Sequence, residues 1–150
     1  MKKIIFVVLC FTFVAAVFTS CGSKSKTDTS ATEAPVVKGE APDKRYVKLA
    51  IEINKDMPKV YPGGVRLDKV EAVSKKEFKY HYTFTQDQVV SPEEFRRSAK
   101  LPLSLAIQES NEDIFNMFRK DKMTLIYAYY KMDGSLFAEV RLEPEDYIKK

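Results

Sequence analysis

The sequence predicts an α+β domain in which two consecutive α-β-β units form a four-stranded antiparallel sheet with helices on one face. Three observations lead to this prediction. Residues 78–84 alternate between large apolar and polar side chains, as a half-buried strand does. Asp133-Gly134 lies between two strand-like runs and is a strong hairpin signal. Ser91-Pro92 begins a helix between the two halves, which lie near 43–85 and 92–142.

The first element, residues 43–57, fits two patterns. Helical spacing relates the apolar residues Tyr46, Ala50, Ile53 and Met57. Strand-like alternation relates Val47, Leu49, Ile51 and Ile53 in the same segment. We predict a helix because Pro42-Asp43 can begin one and residues 54–58 can end it. A strand over residues 46–57 stays open as the alternative.

A turn-rich break at residues 58–64 separates this element from a hairpin. Residues 65–73 read as a strand whose alternation changes phase, which predicts a bulge near Asp68-Lys69. A polar turn at residues 74–77 leads into the strand at residues 78–84. The two strands together predict an antiparallel pair.

The helix that opens the second half has a well-marked start. Ser91 can cap it, Pro92 suits the first helical position, and Glu94 completes a capping box. Pro102 is expected to end or kink this helix, and a second helix then runs to about Arg119.

The last two strands are predicted at residues 122–131 and 136–142, joined by the Asp133-Gly134 turn. Pro144 closes the final strand, because proline cannot donate to a sheet ladder. A short charged tail ends the chain.

The N-terminus has the composition of a secretory signal peptide. Lys2 and Lys3 precede an apolar run, Ile4–Phe18, which is shorter than the about 20 residues of a membrane-spanning helix. The segment Val17-Phe18-Thr19-Ser20-Cys21 resembles the lipobox of bacterial lipoproteins, with Phe18 where that family more often has an aliphatic residue. The resemblance implies cleavage after residue 20 and a diacylglycerol thioether, with further acylation, on Cys21. In that family an aspartate directly after the lipidated cysteine favours retention in the inner membrane. This chain has Gly22 at that position, so the resemblance implies the outer membrane of a Gram-negative cell envelope.

These features divide the chain into three parts. Residues 1–20 are the predicted signal peptide. Residues 21–43 comprise the lipidated cysteine and a polar, flexible tether, since Val36 and Val37 are its only large apolar side chains. Residues 44–150 form the predicted single α+β domain. The membrane is therefore a predicted partner through the N-terminal lipid.

Charge and cysteine content exclude several function classes. Removal of the signal peptide takes away two lysines and lowers the net charge from +4 to +2, so no electrostatic argument favours nucleic acid. Cys10 lies in the predicted signal peptide, and the lipoprotein resemblance implies that Cys21 carries the lipid. The domain therefore has no thiol for a disulfide, a thiolate metal site or a cysteine nucleophile.

No residue set predicts catalysis, a metal or a cofactor. His81 is the single histidine, and no Gly-x-Ser-x-Gly motif accompanies it. The Gly63-Gly64 pair lacks the residues of a phosphate-binding loop. Paired acids are scattered near predicted helix and strand ends, at Glu93-Glu94, Glu112-Asp113 and the group Glu143, Glu145 and Asp146.

The aromatic side chains are the one enrichment that suggests binding. Tyr80 and Tyr82 can lie opposite Tyr127 and Tyr129 on neighbouring strands. Exposed, these four would form a ligand platform; otherwise they fill a core that has no tryptophan. The sequence therefore predicts a lipid-anchored, non-enzymatic envelope protein that binds a partner protein or scaffolds a complex. Glycan or small-ligand binding through the tyrosines, and a hydrolase that uses two carboxylates, are the alternatives. The oligomeric state is left open.

Overall fold

The computed structural model describes residues 40–149, so the predicted signal peptide and nearly all of the tether lie outside the described residues. The described elements are α1 (Lys44–Asn54), β1 (Lys59–Tyr61), β2 (Val65–Ser74), β3 (Glu77–Phe84), α2 (Pro92–Glu109), α3 (Asp113–Asp121), β4 (Thr124–Tyr130), β5 (Leu136–Leu142) and α4 (Pro144–Tyr147). The α+β class is confirmed.

The sheet differs from the prediction in strand number and direction. It has five strands in the order β1-β2-β3-β4-β5, and β3 and β4 run parallel while the other neighbours are antiparallel. The prediction of four antiparallel strands was wrong for two reasons. The additional strand β1 has three residues, all exposed, and so has no hydrophobic pattern. The central pair is parallel because helices α2 and α3 cross over the sheet and return the chain to the end where β3 began.

Helix α1 resolves the ambiguous segment as a helix. Its N-terminus is capped by Asp43, whose carboxylate accepts the Arg45 backbone N–H at 2.8 Å. Tyr46 and Ala50 are buried beneath it, while Ile51 is 59% exposed. The buried face of α1 is therefore formed by residues at helical spacing, and the strand-like alternation does not correspond to a buried face.

The side chain of Asn54 joins the end of α1 to strand β2. Its amide donates to the Val70 carbonyl and accepts from the Val70 N–H, both at 2.8 Å. The register of β2 and β3 shifts between Leu67 and Lys69, which confirms the bulge predicted there.

Helix α2 begins as predicted but does not break at Pro102. Ser91 and Glu94 form the capping box, and the helix continues through Pro102 to Glu109. Pro102 has no N–H to donate to the Ser98 carbonyl one turn earlier. Both residues are exposed, so water can solvate that carbonyl instead. Buried Ile107 keeps the second half of α2 on the sheet. The break instead follows Ser110, and α3 starts at Asp113.

The core lies between the helices and one face of the sheet, which we call the helix-covered face. Helix α1 packs over β2 and α2 over β5. Between them, Phe118 of α3 lies 5.1 Å from Phe78 and 5.6 Å from Tyr46, measured between ring centroids. The opposite, open face carries ion pairs between strands, including one that spans β4, between Lys79 of β3 and Glu139 of β5 at 2.9 Å.

The C-terminal residues close one end of this core. Tyr147 of α4 is fully buried, and its hydroxyl donates to the Met123 carbonyl. Strand β5 ends at Leu142, before Pro144, as predicted. Across residues 40–149, no helix combines the length and apolarity that crossing a membrane requires.

Candidate functional site

The four predicted tyrosines meet on the helix-covered face. The parallel register places Tyr80 beside Tyr127 and Tyr82 beside Tyr129. Their rings stack with centroids 4.9 Å and 5.2 Å apart, respectively. We call these four residues the tyrosine cluster. The structure thus brings together all four residues that the sequence singled out.

The rings of the tyrosine cluster are largely packing groups. Tyr80, Tyr127 and Tyr129 are 8%, 5% and 7% exposed, and Tyr82 is half-buried. Because each ring stacks on another, the ring faces that would contact a sugar are occupied by neighbouring rings. This geometry favours the core alternative over a stacking platform for a glycan.

The hydroxyls of the cluster behave differently from the rings. None has a hydrogen-bond partner among the described residues, and none is an orphaned atom sealed from solvent. Burial raises the pKa of Tyr129 to about 12 and that of Tyr80 further. At neutral pH these hydroxyls are therefore protonated, so each can donate and accept a hydrogen bond.

Two of these tyrosines form the floor of a groove of about 510 Å³. Tyr80 and Tyr82 lie at its base beside Leu67 of β2. One wall is the apolar stripe of α1 and the segment after it, formed by Leu49, Ile53 and Met57. The other wall is Glu112, Ile114 and Phe115 at the start of α3, and Tyr61 of β1 completes the lining.

Most of the groove residues were missed from the sequence, although part of the signal was present. Leu49, Ile53 and Met57 recur every four residues and form a second apolar stripe beside the buried Tyr46 and Ala50. A helix with two adjacent apolar stripes has more apolar surface than one sheet contact needs. Glu112, Phe115 and Tyr61 gave no such signal, because their approach depends on the crossover and on β1.

His81 lies on the open face, away from the groove. Its ring stacks on Tyr130 with centroids 5.8 Å apart, and its Nδ1 is 3.3 Å from the Tyr130 hydroxyl. Its Nε2 lies 3.2 Å from Glu71 Oε1 in an orientation that is poor for a hydrogen bond. Burial lowers the pKa of His81, and the neighbouring Glu71 carboxylate opposes that shift.

The acidic pairs near element ends mainly serve local structure. The Glu94 carboxylate accepts the Ser91 backbone N–H in the capping box of α2, and Glu143 accepts a hydrogen bond from the Thr124 hydroxyl at 2.7 Å and pairs with Arg141 at 2.8 Å. These contacts lower the pKa of Glu143, the Thr124 hydrogen bond most of all. Within residues 40–149, no three His, Cys, Asp or Glu side chains are grouped so that they could hold a metal ion.

Comparisons with known proteins place the fold but not a family. No family model and no curated protein matches the chain significantly. Solved structures of similar fold include a secreted protein from Pseudomonas aeruginosa, with a TM-score of 0.57 and 13% identity over 70% of this chain and 91% of that chain.

Two pilotins of type 2 secretion systems also share the fold. EpsS from Vibrio vulnificus has a TM-score of 0.53 and 10% identity, over 71% of this chain and 91% of its own. AspS from Vibrio cholerae has a TM-score of 0.50 and 12% identity, over 68% of this chain and 88% of its own. At these identities the likeness establishes the fold that the α+β domain shares with these proteins.

Proposed function

We propose that this chain is a lipid-anchored protein of the cell envelope that binds a segment of a partner protein in the groove, without catalysing a reaction. The observation that carries the proposal is the groove itself. The apolar side chains of its walls, from α1 and α3, pack against the edge of the core but are only half-buried, so part of each remains in contact with solvent. Apolar surface left in contact with water in a concave site is typical of a binding surface.

The position of the groove favours a helical occupant. It opens over the face of the sheet and between helices, and only Tyr61 of the three-residue edge strand β1 lines it, so the groove offers little strand edge for a ladder of backbone hydrogen bonds. A segment that enters must satisfy its own backbone groups, and an amphipathic helix does so. The apolar face of such a helix would contact Leu49, Ile53 and Phe115.

The similar structures support an envelope role. Two of them are pilotins of type 2 secretion systems, and the third is a secreted protein. An accessory protein that binds a partner within the envelope is consistent with these similar structures and with the lipobox-like segment. The support is one of fold and location, and the groove supplies the argument for binding.

Attachment to the membrane is proposed through Cys21. Two or more acyl chains make membrane attachment stable, because each buried CH₂ contributes about 0.8 kcal/mol. Mass spectrometry of the mature protein should find residue 21 as the N-terminus, with the mass of diacylglycerol and an amide-linked acyl chain. The variant C21S should leave the membrane fraction. An unmodified Cys21 or an unchanged fractionation would refute lipid anchoring while leaving the groove untouched.

Groove binding is tested by comparing two matched variants in affinity capture from solubilised envelopes. I114Q places an amide in the groove wall. L105Q makes the same kind of change on the outer surface of α2, at a leucine that is 42% exposed. A partner recovered by the wild type and by L105Q, but lost with I114Q at unchanged stability, supports the proposal. Equal recovery by all three proteins would contradict it.

A further inference from the structure

One wall of the groove is acidic, and the cation that follows it in the sequence is bonded to other groups. Residues 101–118 contain three acids and no lysine or arginine. The next residue, Arg119, donates to the Ile107 and Ser110 carbonyls and to Asn116 Oδ1 rather than to these acids. These acids are Glu109, Glu112 and Asp113. None forms an ion pair with another described residue, whereas acids elsewhere, such as Glu71, Asp121 and Glu139, are paired.

Glu112 lines the groove and has no structural duty that explains its charge. It is the residue before the first turn of α3, yet its side chain makes no capping hydrogen bond. It is exposed, and it faces the groove alongside Ile114 and Phe115. A glutamine at this position would therefore preserve the helix start while removing the charge.

The floor of the groove presents a hydroxyl that is bonded to no described residue. Tyr80 is more than nine-tenths buried, it lines the groove, and its hydroxyl has no hydrogen-bond partner within residues 40–149. Tyr82, Glu112 and Tyr61 line the same groove as Tyr80. Burial raises the pKa of Tyr80, and these three groups add to that rise. The wall and the floor of one apolar groove thus both carry acceptor oxygens.

No described lysine or arginine lines the groove. Two cations lie near groove residues and are engaged there. The Lys59 ammonium is 5.5 Å from the ring centroid of Tyr61, and the Arg119 guanidinium donates to the Ser110 carbonyl at 2.7 Å. The combination of apolar walls, a carboxylate outside any described ion pair and hydroxyls free to accept a hydrogen bond complements a cation carried on an otherwise aliphatic surface.

We propose that the helical segment bound in the groove carries a lysine or arginine beside its aliphatic face, and that this cation lies between the Glu112 carboxylate and the Tyr80 hydroxyl. This inference rests on the proposed function and specifies the chemistry of the partner. The aliphatic residues supply the buried area, and the cation selects among amphipathic helices and fixes the register of the one that binds.

The test uses three stapled, fluorescent helical peptides of about 14 residues, roughly four turns. They share one aliphatic face and differ at a single flanking position, which holds Lys, Gln or Glu. Fluorescence anisotropy at low salt measures each Kd against residues 22–150. The Lys peptide should bind about threefold to tenfold more tightly than the Gln peptide, and the Glu peptide more weakly than both.

Variants separate the charge of Glu112 from general effects. E112Q should bring the Lys and Gln peptides to the same Kd, and E112K should reverse the order so that the Glu peptide binds most tightly. E93Q removes an acid at the far end of α2 and should preserve the wild-type order. Adding salt should reduce the preference in the wild type but leave E112Q unchanged.

Two results would overturn the inference. Equal binding of the three peptides by the wild type would show that the groove does not select a cation, although the groove would remain a binding site. The inference would also be contradicted if no peptide bound, or if I114Q bound the peptides as tightly as the wild type does. Failure of the proposed function would give a different result: I114Q would capture the envelope partner as well as the wild type does.

Discussion

The two ends of the aromatic layer beneath the helices differ in how their polar atoms are used. At the closed end, Tyr46, Phe78 and Phe118 are at most 1% exposed, and the Tyr46 hydroxyl donates to the Asp121 carboxylate at 2.9 Å. At the groove end, the hydroxyls of Tyr80 and Tyr82 have no such partner among the described residues. The same residue type therefore stabilises the fold at one end and can meet a ligand at the other.

The largest expected effect is at the closed end. Phe118→Ala removes a ring that contacts Tyr46, Phe78 and Phe115, and it leaves a cavity at a fully buried site. We expect the free energy of unfolding to fall by about 3–5 kcal/mol, measured by urea denaturation. A loss below about 1 kcal/mol would mean that this end is not a packed core.

A matched pair of hydroxyl deletions compares the two ends directly. Tyr46→Phe removes the hydrogen bond to Asp121, and we expect a loss of about 1–2 kcal/mol in unfolding free energy. Tyr80→Phe removes a hydroxyl without a described partner, so the change should stay within about 0.5 kcal/mol. Equal losses in the two variants would remove the distinction between the ends.

The open face provides the smallest effect and a third environment for comparison. Burial beside Tyr130 lowers the pKa of His81 below its ordinary value of 6.5, against the pull of Glu71 and with help from Lys69 and Lys79. The unfolded chain therefore binds the proton more tightly than the folded one. Stability should fall as the pH drops below 6.5 towards the folded-state pKa.

The single histidine makes this effect simple to measure. The ring resonances of His81 should titrate by NMR with a midpoint below 6.5, and H81Q should flatten the pH dependence of unfolding free energy in that window. A midpoint above 6.5 would show that the Glu71 carboxylate outweighs burial. The open face would then be more hydrated than the closed end of the core.

Local features of the fold were predictable from the sequence because their causes are local. Ser91 and Glu94 are three residues apart, and each side chain accepts a hydrogen bond from the backbone N–H of the other at the start of α2. In the Asp133-Gly134 turn, the Asp133 carboxylate accepts the Ser135 backbone N–H. The bulge near Asp68 is visible in the alternation of β2. In each case the residues that cause the structure are close neighbours in the chain.

Non-local features could not be predicted in the same way. The parallel pairing of β3 and β4 depends on where the α2–α3 crossover returns the chain, and no dipeptide encodes that. Pro102 indicates a helix end by its chemistry, but burial of Ile107 beyond it keeps the helix on the sheet. The tyrosine cluster was identified, whereas the groove above it needs β1, α1 and α3 together.

The most direct test of the account is site-specific photo-crosslinking in intact cells. A benzophenone amino acid replaces Phe115 in the groove wall or, as the control, Lys69 on the open face. The account predicts a discrete adduct with an envelope protein from position 115 that is lost when I114Q is added, and no adduct from position 69. An adduct from position 69 alone, or one from position 115 that survives I114Q, would contradict it.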